Sequence, residues 1–157
     1  MSAASFPGTE RAPHRSIEGS KTVECSLLYV SRSTIPREQL AFEIADIIAV
    51  SREHNARAGI TGGLVRAGDY FAQLLEGPTE AVKTLMERID RDPRHTDVSV
   101  VRIAASNKRQ LPDWSMAYAG ESTYVANQIA PLLGPGLAAD AERIDRLEIL
   151  IVTFASM

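Results

Sequence analysis

The sequence predicts an α+β domain: a mixed five-stranded sheet with two helices on one face, plus C-terminal helices. Three observations predict it. Four strand-like runs, at 23–31, 59–66, 70–77 and 96–106, are interrupted by two segments whose apolar residues recur at helical spacing. The second and third runs are joined only by a turn around Ala67-Gly68-Asp69, and so form a hairpin. A short fifth run occupies 113–120. The order βαββαββ is a ferredoxin-like pattern with one added strand. In it, one layer of two helices packs on one sheet face.

Each element has its own signal. Residues 1–21 are rich in Ser, Ala, Gly and Pro, lack periodicity and read as a disordered arm in which His14 is solvated. VECSLLYVS (23–31) alternates, with Val23, Cys25, Leu27 and Tyr29 on one face and Ser26, Leu28 and Val30 on the other. Pro36 opens a helix running to about His54, whose apolar side follows Leu40, Ile44, Ile47, Ile48 and Ser51. GITGGLVR and YFAQLLEG form the hairpin. A second helix begins near Thr79, which can cap it, and carries the stripe Val82, Leu85, Met86, Ile89. Asp92-Pro93 ends it. TDVSVVRIAAS supplies the fourth strand and DWSMAYAG the fifth. The remainder, 121–157, reads as two helices broken at LLGPG, the last with Ile144, Leu147, Ile151 and Phe154 in coiled-coil spacing.

At 157 residues the chain suits one domain with its own core. A net charge of −3 argues against a nucleic-acid partner, since phosphate contacts need a basic surface. Cys25 is the one cysteine, so no disulfide forms within the chain, as suits a reducing compartment. No apolar run approaches the roughly 18 residues of a membrane helix. No secretory signal pattern opens the chain, and a cytoplasmic protein is expected.

Familiar catalytic signatures are missing: no phosphate-binding G-x-x-x-x-G-K, no C-x-x-C, no H-E-x-x-H. The cluster Gly59, Gly62, Gly63 reads as tight packing. Three histidines without nearby ligand spacing make no metal site. Cys25 reads as a packed small hydrophobe, and Glu76, Glu80 and Glu87 as solvated turn and helix-face charges.

Four separated pieces, LLYVSRS (27–33), SREHNARAGITGGLV (51–65), YFAQLLEGP (70–78) and LPDWSMAYAG (111–120), together resemble the BLUF family, blue-light sensors using FAD. ERIDRDPRH (87–95) fits the family's second helix and the turn after it. The combination of Y-x-S, N-A-R-x-G-I-T-G, F-x-Q-x-L-E-G and D-W-S-M is specific where no single piece is.

The resemblance implies a flavin photosensor at 22–120; the helical segment 121–157 lies outside the shared core and is read as an extension for output or oligomerisation. FAD would be held without a covalent link between the two helices, with FMN or riboflavin as alternatives. Tyr29 would give the electron and proton, and Gln73 would lie between it and the flavin. Trp114 and Met116 would be fifth-strand residues responding to light. Asn55 would hold the flavin's polar edge, His54 would pack along the ring, and Ser51 would be a further cofactor-binding residue. Ile47, Phe71 and Ile89 would form apolar walls, with Arg88, Asp92, Arg94 and His95 at the ribityl and phosphate end.

The residue types suit these roles. Tyrosine can release an electron and then a proton, and a glutamine amide both donates and accepts, so it can relay hydrogen bonds in two orientations. Alternation puts Phe71 and Gln73 on one strand face and Trp114 and Met116 on one face of another. A mid-strand tyrosine is also an ordinary core residue, a tryptophan an ordinary anchor, and an asparagine at a helix end an ordinary cap. A buried glutamine is harder to explain that way, because all its hydrogen-bonding capacity must be met.

No catalytic domain is expected, so output is expected to pass to an unknown downstream protein or through a homo-oligomer. The oligomer follows from Leu28 and Val30, which face away from the two helices and need a cover. The stripe in the last helix could supply it, in cis or from another subunit. Two other readings stand beside this one: a ferredoxin-like regulatory or protein-interaction module without photochemistry, and a small flavin-dependent oxidoreductase.

Overall fold

The computed structural model describes residues 23–114, 116–119, 123–133 and 141–157. The arm expected at 1–21, with His14, lies outside the described residues, as does the 134–136 part of LLGPG. The chain runs β1 (Glu24–Ser33), a 3₁₀ turn (Arg37–Gln39), α1 (Leu40–Ala58), β2 (Thr61–Ala67), β3 (Tyr70–Pro78), α2 (Thr79–Asp90), β4 (His95–Ala105), β5 (Ala117–Ala119), α3 (Thr123–Ile129), a second 3₁₀ turn (Ala130–Leu132) and α4 (Ala141–Ala155).

The sheet order is β4-β1-β3-β2-β5. The first four strands pair antiparallel, and β5 joins β2 in parallel. This is the expected ferredoxin-like α+β sheet with its extra strand. The hairpin closes with Gly68 and Asp69 alone, where Gly68 has φ 61°.

Alternation along the strands makes two cores. Cys25, Leu27, Tyr29, Leu64, Phe71 and Leu75 lie under α1 and α2. Leu28, Val30, Val65 and Leu74 lie on the opposite face with Ile144, Leu147 and Ile151 of α4 and Val125 and Ile129 of α3. The sheet is thus covered on both faces by its own chain. The stripe read as a coiled-coil seam finds its partner in cis, and Phe154 packs at that core's edge.

The hairpin glycines have steric reasons. A Cβ on Gly62 would sit 2.1 Å from the Leu74 carbonyl oxygen. On Gly63 it would press on Leu111, Ala155 and Ile151 at 3.0–3.3 Å, where α4 crosses the sheet. Both positions serve packing, as expected.

Several expectations need correction. The first helix begins after a 3₁₀ turn and runs four residues past His54, to Ala58. It stops at Gly59, whose left-handed φ of 74° ends the helix with its N–H on the Asn55 carbonyl. Thr79 does not cap α2; its hydroxyl donates to the Val23 carbonyl at 3.1 Å, fastening the helix start to β1. The fifth strand spans three residues rather than 113–120, so Trp114 and Met116 precede it. Glu76 is not a solvated turn charge. It is 1% exposed, on the α4 side of the sheet. Its carboxylate accepts from the backbone N–H of Gln110 at 2.9 Å and of Leu111 at 2.9 Å. Glu80 and Glu87 are exposed as expected. No described helix is long and apolar enough to cross a membrane.

Candidate functional site

A cleft opens between α1 and α2 above the sheet. It is lined by Tyr29, Ile47, Val50, Ser51, His54, Asn55, Leu64, Phe71, Gln73, Leu85, Arg88, Ile89, Asp92, Arg94 and His95. Every residue expected at the cofactor is in this set, with Tyr29 and Gln73. Trp114 and Met116 are not.

The floor is set by strand register. Tyr29 on β1 and Leu64 on β2 both pair with Gln73 on β3, so the three stand in one row on the cleft face. Tyr29 is 3% exposed and Gln73 5%. The Tyr29 hydroxyl donates a short hydrogen bond to Gln73 Oε1. Gln73 Nε2 donates to Met116 Sδ at 3.3 Å. Burial, aided by the nearby Asp92 charge, pushes the Tyr29 phenol well above its ordinary value of 10.0. The phenol therefore holds its proton in the ground state. The Gln73 amide has its oxygen on the strong donor and its NH2 on a weak thioether acceptor. Reversal would face NH2 to the phenol oxygen and oxygen to sulfur.

Met116 therefore lies behind Gln73, 1% exposed, while Trp114 is 44% exposed. The expectation that the two share a strand face fails because neither is in the strand. The Trp114 carbonyl accepts from the Gly62 N–H at 2.9 Å, and its side chain turns outward.

The walls come from the helix stripes. Ile47, Val50, Ser51, His54 and Asn55 follow the α1 period, and Leu85, Arg88 and Ile89 that of α2. Asn55 is fully buried, in the last turn before Gly59 rather than at the cap itself. Arg88 NH1 donates to His54 Nδ1 at 2.9 Å. Desolvation, then Arg88 and Arg57, lower the His54 pKa. His95 is held by the Ile89 carbonyl at 2.6 Å and Ser31 Oγ at 2.9 Å, edge-on to the rings of Tyr29 and Phe71.

At the mouth, Arg94 bridges Asp92, Glu43 and Asp46, with NH1 3.2 and 3.0 Å from the last two carboxylates. Desolvation raises the Asp92 pKa but is outweighed by the Arg94 side chain and backbone N–H, so the carboxyl stays below its ordinary value. Glu43 and Asp46 escaped the sequence reading because they sit on the polar side of α1. Val50, Leu64 and Leu85 also escaped it as lining residues. Leu85 was legible as part of the α2 stripe, and Leu64 by period two from Gly62. Among the described residues no cluster of His, Cys, Asp and Glu could hold a metal ion.

An apolar slot lined by two buried carboxamides and a buried phenol, on a ferredoxin-like sheet, defines a small cofactor-binding module. The chain belongs to the BLUF family, sensors of blue light using FAD, whose model matches residues 25–117. It is 38% identical over 110 residues to the photoactivated adenylate cyclase subunit beta of Euglena gracilis, covering 69% of this chain but 12% of that protein. The BLUF protein BlrB, in its dark state, matches with TM-score 0.69 at 32% identity, over 87% of this chain and 98% of that one. BlsA in its photo-activated state gives 0.71 at 26% identity, over 82% and 94%. BLUF domains bind flavin, and the donor set here fits one: flat apolar walls for the ring system, amides and hydroxyls for its polar edge, and arginines at the mouth.

Proposed function

We propose that this chain is a blue-light receptor that holds FAD without a covalent bond and signals through the Tyr29–Gln73–Met116 hydrogen-bond chain. That chain is the observation that carries the reading. Asn55 and Gln73 would meet the flavin's carbonyl and ring N–H groups, Ile47, Phe71, Ile89, Leu64 and Leu85 its ring faces, and His54 and Ser51 its flank. Arg88, Asp92, Arg94 and His95 would meet the ribityl and phosphate end. Arg94 would have to exchange part of its hold on Glu43 and Asp46 to reach a phosphate, a contact open to FAD and FMN and not to riboflavin.

A bound flavin supplies a blue-absorbing group that, once excited, takes up an electron and a proton. Tyr29 is the residue built to provide both, since its phenol is protonated, buried and already bonded to Gln73. Loss and return of that proton leave Gln73 free to settle in its other orientation, where its NH2 faces the Tyr29 oxygen. The amide then no longer donates to Met116. A hydrogen-bond element with two arrangements suffices for a switch.

The chain serves as a sensor rather than a catalyst, with residues 22–120 as the receptor and 121–157 as the output segment toward a partner protein. It spans about an eighth of the cyclase subunits it resembles. Blue light on the purified protein, without added reductant, should shift the flavin band reversibly to the red. Acid precipitation should release the flavin into the supernatant, where mass spectrometry identifies it. A colourless protein, or a band that bleaches without shifting, contradicts the reading.

A further inference from the structure

The segment between β4 and β5 touches both faces of the sheet. On the cleft face, Met116 Sδ accepts from Gln73, and the Met116 carbonyl accepts from Arg52 Nε of α1 at 3.0 Å. On the far face Leu111 is 1% exposed and converges with Ile151 and Ala155 of α4 over Gly63. Between these ends lies the buried Glu76 carboxylate, gripping the Gln110 and Leu111 amides. A carboxylate at that depth is tolerated because hydrogen bonds replace its water. Gln110 carries the connection outward. Its side chain is exposed, and its Nε2 donates to Glu148 Oε1 of α4 at 2.7 Å. The other Glu148 oxygen takes Arg102 NH1 of β4 at 2.5 Å, and Arg102 also pairs with Asp145. Gln110 thus has its backbone on the sheet and its side chain on the helix.

We propose that Gln110 couples the light switch to α4. The inference rests on the reading of Gln73 as that switch. One Gln73 arrangement donates to Met116 and the other does not, so the two states differ in how firmly this segment is held at its cleft end. The segment shifts about its Glu76 anchor, and the Gln110–Glu148 hydrogen bond passes the shift to α4 at a carboxylate shared with β4.

The test is hydrogen exchange of residues 141–157 in the full flavin-loaded chain, dark and under blue light, with the flavin spectrum recorded on the same samples. The wild-type chain should show the red shift and a light-dependent change in α4 exchange. Gln110→Ala, a surface substitution that leaves the cores intact, should keep the red shift and lose the light-minus-dark difference. Gln110→Lys, whose ammonium can donate to Glu148, should restore it. Gln110→Ala with the difference intact, even if α4 exchanges faster in both states, assigns Gln110 a structural role and overturns the coupling. So does a wild-type red shift with no change in α4. A wild-type chain with no red shift overturns the switch reading, and the coupling with it.

Discussion

At the scale of single residues, Gln73 decides the most. Its two sides meet a strong donor in Tyr29 and a weak acceptor in Met116. Gln73→Leu keeps the shape and removes both connections, leaving the Tyr29 hydroxyl without its acceptor at a cost of roughly 1–3 kcal/mol. The variant should still bind flavin and show no red-shifted state; thermal melting and a light-minus-dark spectrum check both. Tyr29→Phe should also lose the shift, because the ring then has no transferable proton. Asn55→Ala should instead weaken flavin affinity by about tenfold, the worth of roughly 1.4 kcal/mol of lost hydrogen bonding, read by titration of the apoprotein. Acid should act in part through Asp92. Its folded pKa is held below the ordinary 3.8, so the Asp92–Arg94 contribution is fully present above that value. It is lost as pH falls through the lowered folded value. Asp92→Asn should flatten that part of a stability-versus-pH curve, and an unchanged acid limb would remove Asp92 from it.

At the scale of elements, period two in the strands shows which side chains share a sheet face and period 3.6 gives the apolar stripes of α1 and α2, while the grouping of Tyr29, Gln73 and Asn55 in one cleft came from the family resemblance and is what the structure displays. What periodicity misses is the connector after β4. Trp114 and Met116 read as alternating strand residues, yet a three-residue β5 gives them no strand to alternate in. Trp114 faces outward and Met116 inward through the turn geometry, a property of the folded connector and not of local sequence. Glu76 was misread for a related reason. A charge flanking Gly77 suggests a solvated turn, and the amides that satisfy it come from 34 and 35 residues further on. Replacing Glu76 with Ala should leave the buried Leu111 N–H unsatisfied, costing about 1–3 kcal/mol. Glu76→Gln retains one acceptor oxygen and should cost less. Equal melting temperatures for Glu76→Ala and wild type would mean that the anchor is not made in solution.

At the scale of the whole molecule, the sheet has one face for the cofactor and one for the chain's own C-terminal helices. The sequence showed that Leu28 and Val30 needed a cover and that Ile144, Leu147, Ile151 and Phe154 could provide one, but the pattern is the same in cis and in trans. Burial in the single chain resolves it: Ile144 is 3% exposed, and Leu147 and Ile151 are fully buried, against the chain's own sheet. This face therefore gives no reason of its own for a homo-oligomer. Burying three such side chains contributes about 5–9 kcal/mol as an upper estimate. That rivals the roughly 5–15 kcal/mol stability of an entire domain. Deleting 138–157 should therefore do more than remove an output element. It should bare Leu28, Val30, Val65 and Leu74 and so produce a chain that binds an apolar dye, elutes as larger species and melts well below the full chain. A truncated chain that stays as soluble, elutes at the position its mass predicts and melts with the full-length protein would show that α4 does not hold this face, and the coupling through Gln110 would lose its receiving helix.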